Sequence, residues 1–136
     1  MIRGLLRCRR GVVSVEAAIL LPVFLMVLVG AMEFGLMIFT YSALQTAVRD
    51  ATRQIAVNFA DPADVETAVA GALPLWSRDR LVVAVEQSAP ADPATNVITV
   101  RASVPAEHAT PVRLFSRATG EWSLQSAVAM KQELPL

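Results

Sequence analysis

Arg9-Arg10-Gly11-Val12-Val13-Ser14-Val15-Glu16 is the stretch on which the reading of this chain turns. Up to Gly11 the sequence is basic, with Arg3, Arg7, Arg9 and Arg10 and no acid. From Val12 to Tyr41 it is apolar, interrupted only by Glu16, Glu33 and small hydroxyl residues. As a helix rising 1.5 Å per residue, residues 12–41 would extend about 45 Å. The hydrocarbon core of a bilayer is about 30 Å thick and takes about 20 residues, so this helix is long enough to span it and continue beyond. Four arginines beside such a run set orientation by the positive-inside rule, with the N-terminus inside and the C-terminus outside. Phe34, Phe39 and Tyr41 gather at the far end, where interfacial aromatics are expected.

Composition bounds the rest. The 136 residues carry 12 basic and 12 acidic side chains, but beyond Gly11 the balance is eight basic against twelve acidic. The basic cluster is therefore a topological signal, and no nucleic-acid partner is needed to explain it. With the apolar half set aside, about 75 residues remain to fold in water, near the lower limit for an independent core. The lone cysteine, Cys8, lies in the basic N-terminal segment, so the residues beyond Gly11 can form no disulfide among themselves.

Pro22 interrupts the apolar helix and cannot donate to the carbonyl of Ala18, which predicts a kink or local loosening. It is read either as a tolerated membrane proline or as a flexible point used when the subunit leaves the bilayer. Beyond Ser42, Leu44, Ala47, Val48, Ala51, Ile55 and Phe59 recur at spacings of three and four, a stripe to be packed on a soluble domain. Asp61-Pro62 then starts a second helix, with Val65, Ala68, Val69, Ala72 and Leu73 as its apolar face and Pro74 as its stop. Asp61, Asp64 and Glu66 crowd the start of that helix, where its dipole favours acids. Arg80 to Gln87 reads as a strand, and Val97 to Val104 as another with Ile98, Val100, Ala102 and Val104 inward. Thr110-Pro111 suggests a short helix through Val112, Leu114 and Phe115 to Gly120. Trp122 to about Gln132 alternates again, with Trp122, Leu124, Ser126, Val128 and Met130 on one face. The expected fold is α+β: a long N-terminal helix packed on a small domain with a short helix and a three-stranded antiparallel sheet.

Basic leader, Gly11, apolar residues, Glu16 at the fifth position and a long apolar helix together resemble the processing site of type IV prepilins and pseudopilins. The strings Glu16-Ala17-Ala18-Ile19-Leu20-Leu21-Pro22, Glu33-Phe34-Gly35 and Ala47-Val48-Arg49-Asp50-Ala51-Thr52-Arg53 resemble the TadE-like minor pseudopilins of the tight-adherence (Flp) pilus machinery. The resemblance covers roughly the first half of the chain. Ala17 stands where major Flp pilins have tyrosine, which favours the minor class. The resemblance implies cleavage between Gly11 and Val12 by a prepilin peptidase on the cytoplasmic face. It further implies a role in pilus assembly in the bacterial inner membrane, with the C-terminal domain in the periplasm and possible incorporation into the pilus itself. A sister pseudopilin, the major Flp pilin and the inner-membrane assembly platform are the implied partners. The corresponding organisation is a leader over residues 1–11, a transmembrane helix over 12–41, its periplasmic extension over 42–60 and a small α+β domain over 61–136.

A carboxylate in hydrocarbon is expensive and points to function. Glu16 lies one turn from Val12, and by resemblance it pairs with the new N-terminal amine of a neighbouring subunit during assembly. Glu33, about 31 Å along the helix from Val12, is expected near the outer interface, reaching either water or a partner. Glu16, Pro22 and Glu33 are thus the candidate assembly residues within the membrane segment.

No constellation for catalysis is expected. His108 is the single histidine, beside Glu107, and reads as an exposed loop residue. Without a second histidine or a cysteine past the leader, a zinc site has no ligand set. Gly30, Gly35, Gly71 and Gly120 make no phosphate-binding pattern. The reading is a non-enzyme with no cofactor and no metal. Two rivals stand beside it: an uncleaved single-pass anchor carrying a periplasmic binding module unrelated to pili, and a secreted protein cut by signal peptidase after Val29-Gly30-Ala31. Glu16 at the start of the apolar segment and the length of that segment oppose the last.

Overall fold

The computed structural model describes residues 9–114, 116 and 121–134, with side chains described from Val13 onward. Residues 1–8 of the basic leader, Phe115 and Gly120 lie outside the described residues. Helix α1 runs unbroken over Arg9–Ala56 with Pro22 inside it. A 3-10 turn at Pro62–Asp64, α2 (Val65–Ala72) and the single turn α3 (Leu75–Arg78) follow. Then come β1 (Val82–Gln87), β2 (Val97–Pro105), a 3-10 turn at Ala106–His108, and β3 (Ser123–Lys131). The class is α+β, with a long N-terminal helix, short helices and a three-stranded antiparallel sheet in the order β1-β2-β3.

The chain divides into two compact units between Met32 and Glu33. In the first unit, every described side chain from Val13 to Leu28 is exposed although nearly all are apolar. A helix that is apolar all round has no aqueous face to offer and is at home only within a bilayer or a protein interior. Its most apolar 18-residue window has a mean hydropathy of 2.4 and none of that window is buried, which makes it compatible with a membrane anchor.

The second unit is organised by one stripe of α1. Glu33, Met37, Thr40, Leu44, Ala47, Val48, Ala51, Thr52, Ile55 and Ala56 are buried, at the three- and four-residue spacing of a single helix face. That face meets Val65, Val69 and Leu73 of α2, Leu81, and Ile98, Val100, Ala102 and Val104 of β2 in one apolar cluster. The inward set of β2 is the alternating one expected from sequence. β2 is the central strand: Val100 pairs with Val85 of β1 and Val128 of β3.

α1 ends with an asparagine in the left-handed region. Asn58 has φ 58°. Its amide donates to the Ile55 carbonyl (2.9 Å) and the Phe59 amide to the Gln54 carbonyl (2.8 Å), the pair of bonds of a Schellman cap. The cap turns the chain before Phe59, which is 82% exposed and so is not part of the buried stripe. The tail after β3 closes the same end: the Glu133 amide donates to the Ala56 carbonyl (2.8 Å), and Asn58 Nδ2 to the Glu133 carbonyl (3.0 Å). Fully buried Asn96 fastens the ends of the strands, accepting from the Ala89 amide and donating to Gln87 and Gln132.

Other expectations shift. Asp61 accepts from the Ala63 amide (2.9 Å) and caps the 3-10 turn rather than α2 itself. No helix forms over Thr110–Leu114. The Thr110 hydroxyl turns back on the Val112 amide and carbonyl, a local alternative to helical pairing. Trp122 precedes β3 and is 43% exposed instead of facing inward.

Candidate functional site

The sequence-derived site residues fall into the two units. Gly11 and Val12 lie in the first turn of α1, which begins at Arg9. Glu16 is exposed, set among the exposed apolar side chains Val13, Val15, Ile19 and Leu20. Residues 12 and 16 are one turn apart on the same helix, so an amine created at Val12 and the Glu16 carboxylate share one face. Pro22 occupies the exposed part of the helix without ending it.

Glu33 is different. It is 1% exposed and belongs to the second unit, where Oε1 accepts from the Ser116 amide at 3.0 Å. The chain thus supplies an acceptor role for Glu33 internally, where sequence suggested water or a partner. Two turns further along the same face, the Thr40 hydroxyl donates to the Ala109 carbonyl (2.7 Å), which also accepts from the Trp76 indole (3.2 Å). Ala109 and Ser116 are therefore tied to α1 at Thr40 and at Glu33. Sequence reasoning passed over Thr40 and Ala109. The available signal was Glu33, Met37, Thr40 and Leu44 at spacings of four, three and four, with the two polar members on one face.

His108 sits in the 3-10 turn, with only 16% of its side chain exposed, and not in an open loop. Its Nδ1 faces Arg113 Nη2 at 3.3 Å and its Nε2 faces Glu107 Oε1 at 3.2 Å. Among the described residues no group of three His, Cys, Asp or Glu side chains is placed to hold a metal ion. The cavity on the outer sheet face, lined by Val82, Ala84, Arg101, Ser103, Gln125 and Ala127, is about 350 Å³; Arg101 on its rim also forms an exposed ion pair with Glu86 at 3.7 Å.

What distinguishes this chain is thus a single helix that begins around a Gly-Val junction, carries one exposed carboxylate through an apolar stretch, and then packs a domain on one face. Residues 11–53 match the family of TadE-like proteins. The TadE-like match starts at Gly11 and ends three residues before the last residue of α1, so it takes in Glu16, Pro22 and Glu33 and none of the sheet. No curated protein and no solved structure matches the chain.

Proposed function

We propose that the chain is a minor pseudopilin required for assembly of a tight-adherence pilus, processed by a prepilin peptidase between Gly11 and Val12. The observation that carries this is the TadE-like match beginning at Gly11, on a helix that is exposed and nearly all apolar from Val13 to Leu28. A subunit of this kind needs no active site. It needs an anchor that can pass from lipid to a protein neighbour, and an exposed apolar helix serves either environment. The four leader arginines hold the N-terminus in the cytoplasm and leave the C-terminal domain in the periplasm. The peptidase, a sister pseudopilin, the major pilin and the inner-membrane platform are the partners of this reading.

In this reading Glu16 is the assembly residue. Cleavage leaves an ammonium on Val12, and the Glu16 carboxylate of a neighbour neutralises it in a medium where neither charge is tolerated alone. Breaking such a buried pair typically costs about 3–5 kcal/mol, enough to empty a subunit contact. Glu16 is exposed in the monomer, so its removal leaves the domain untouched. Glu16→Ala is expected to insert, to be cleaved and to keep a folded domain, yet to lose co-purification with the sister pseudopilin. Equal recovery of that partner together with normal piliation would refute the assignment of Glu16.

A further inference from the structure

The uncovered apolar surface of α1 does not stop where the domain begins. Phe34, Ile38, Phe39 and Tyr41 are 65%, 53%, 57% and 37% exposed, while Glu33, Met37 and Thr40 on the opposite face are buried. From Glu33 to Tyr41 the helix therefore has one face in the domain and one open. Residues 13–41, at 1.5 Å each, extend about 43 Å. A bilayer including its headgroup layers is about 40–45 Å thick. Nine residues of that length, Glu33 to Tyr41, carry the domain on their other face.

Whatever is tied beside those nine residues shares their depth. The Thr40 to Ala109 hydrogen bond lays the start of the segment 109–114 against this part of the helix, and the Glu33 to Ser116 bond holds Ser116 there. In that segment Leu114 is 53% exposed and Arg113 is exposed beside it. An exposed leucine next to an arginine, level with interfacial aromatics, is the side-chain pairing of a surface that rests in lipid headgroups. We propose that Arg113 and Leu114 form a lipid contact of the domain, with Leu114 entering the boundary between headgroups and acyl chains and Arg113 meeting lipid phosphates. The inference rests on the membrane-anchored reading above. Lipid is favoured over a second copy of the chain because the open face from Glu33 to Tyr41 is apolar and carries aromatic residues at its end. The contact also accounts for a carboxylate at this depth: Glu33 is covered by its own chain and bonded to Ser116, so it faces no hydrocarbon.

The test uses the full chain with Cys8→Ser, reconstituted sparsely in vesicles of phosphatidylethanolamine and phosphatidylglycerol. Single cysteines at Leu114, Val23 and Phe59 are labelled in turn with an environment-sensitive fluorophore. Nitroxide lipids quench from the membrane and iodide quenches from water. All three positions are exposed in the protein, so the label displaces no core. The expected pattern is quenching at 114 by shallow nitroxide with loss of iodide access, quenching at 23 by deep nitroxide, and full iodide access at 59. Quenching at 23 with full iodide access at 114 overturns the lipid contact and leaves the anchored reading standing. Iodide access at 23 overturns the anchored reading and this inference with it. Protection of 114 that appears only at high protein density, without nitroxide quenching, assigns the surface to a second copy and overturns the proposal.

Discussion

Glu33 offers the sharpest separation between a side chain used within the fold and one held for a partner. It is 1% exposed and accepts the Ser116 amide at 3.0 Å, 83 residues away in sequence. Glu33→Ala removes this acceptor and opens a void beside Ser116 and the segment 109–114. A hydrogen bond to a charged group contributes about 1.5–3 kcal/mol. For a domain of 60–100 residues each kcal/mol shifts the melting temperature by about 4–8 °C, so the expected fall is about 6–24 °C. Glu33→Gln keeps an oxygen at the same place and is expected to lose less. Far-UV dichroism would be dominated by α1, which detergent holds helical whatever the domain does. The readout is instead the fluorescence of Trp76 and Trp122 in a thermal ramp of the detergent-solubilised chain, since the Trp76 indole is bonded to the Ala109 carbonyl within the same segment. If Glu33→Ala melts with the wild type while still losing a partner, the internal role assigned to Glu33 is wrong.

Two further substitutions probe the packing. Leu44 is fully buried in the stripe of α1 and Phe59 is 82% exposed, so Leu44→Ala should cost about 2–5 kcal/mol by the same assay and Phe59→Ser less than about 0.5 kcal/mol; the opposite ranking would return Phe59 to the core. Gly71 lies within α2, and a Cβ built there meets nothing within 4 Å, so Gly71→Ala should raise stability by about 0.5–1 kcal/mol, and a lower melting temperature would contradict the open space beside it.

The parts of the fold that sequence disclosed are those where polar and apolar residues alternate. β2 is the clearest: Ile98, Val100, Ala102 and Val104 are separated by Thr99, Arg101 and Ser103, so only one face can be buried. The start of the domain on α1 was concealed for the opposite reason. Between Val13 and Tyr41 nearly every residue is apolar, and a periodicity has no contrast against such a background. The stripe was therefore read from Leu44, where polar residues return, and not from Glu33. Phe59 was misassigned because it continues the spacing from Ile55, while Asn58 at φ 58° had already turned the chain. The absence of helix over Thr110–Leu114 reflects a hydroxyl that satisfies the Val112 backbone locally, a competition that propensity does not resolve. Of the site residues, Gly11, Val12 and Glu16 are proposed from the sequence because a charge and a glycine stand out against apolar residues there. The partner of Glu33 was not legible, because Ser116 carries no signal that it would meet a helix 83 residues earlier.

The central claim is that the chain is cut after Gly11 and keeps its helix. Intact mass and N-terminal sequencing of the protein extracted from membranes of a host with the peptidase test this most directly. The account predicts a chain beginning at Val12, found in the membrane fraction, and a chain still carrying its leader when Gly11 is replaced by leucine. A membrane protein beginning at Met1 in the wild type would contradict processing and favour the uncleaved anchor. A soluble protein beginning near Met32 would contradict the membrane helix itself.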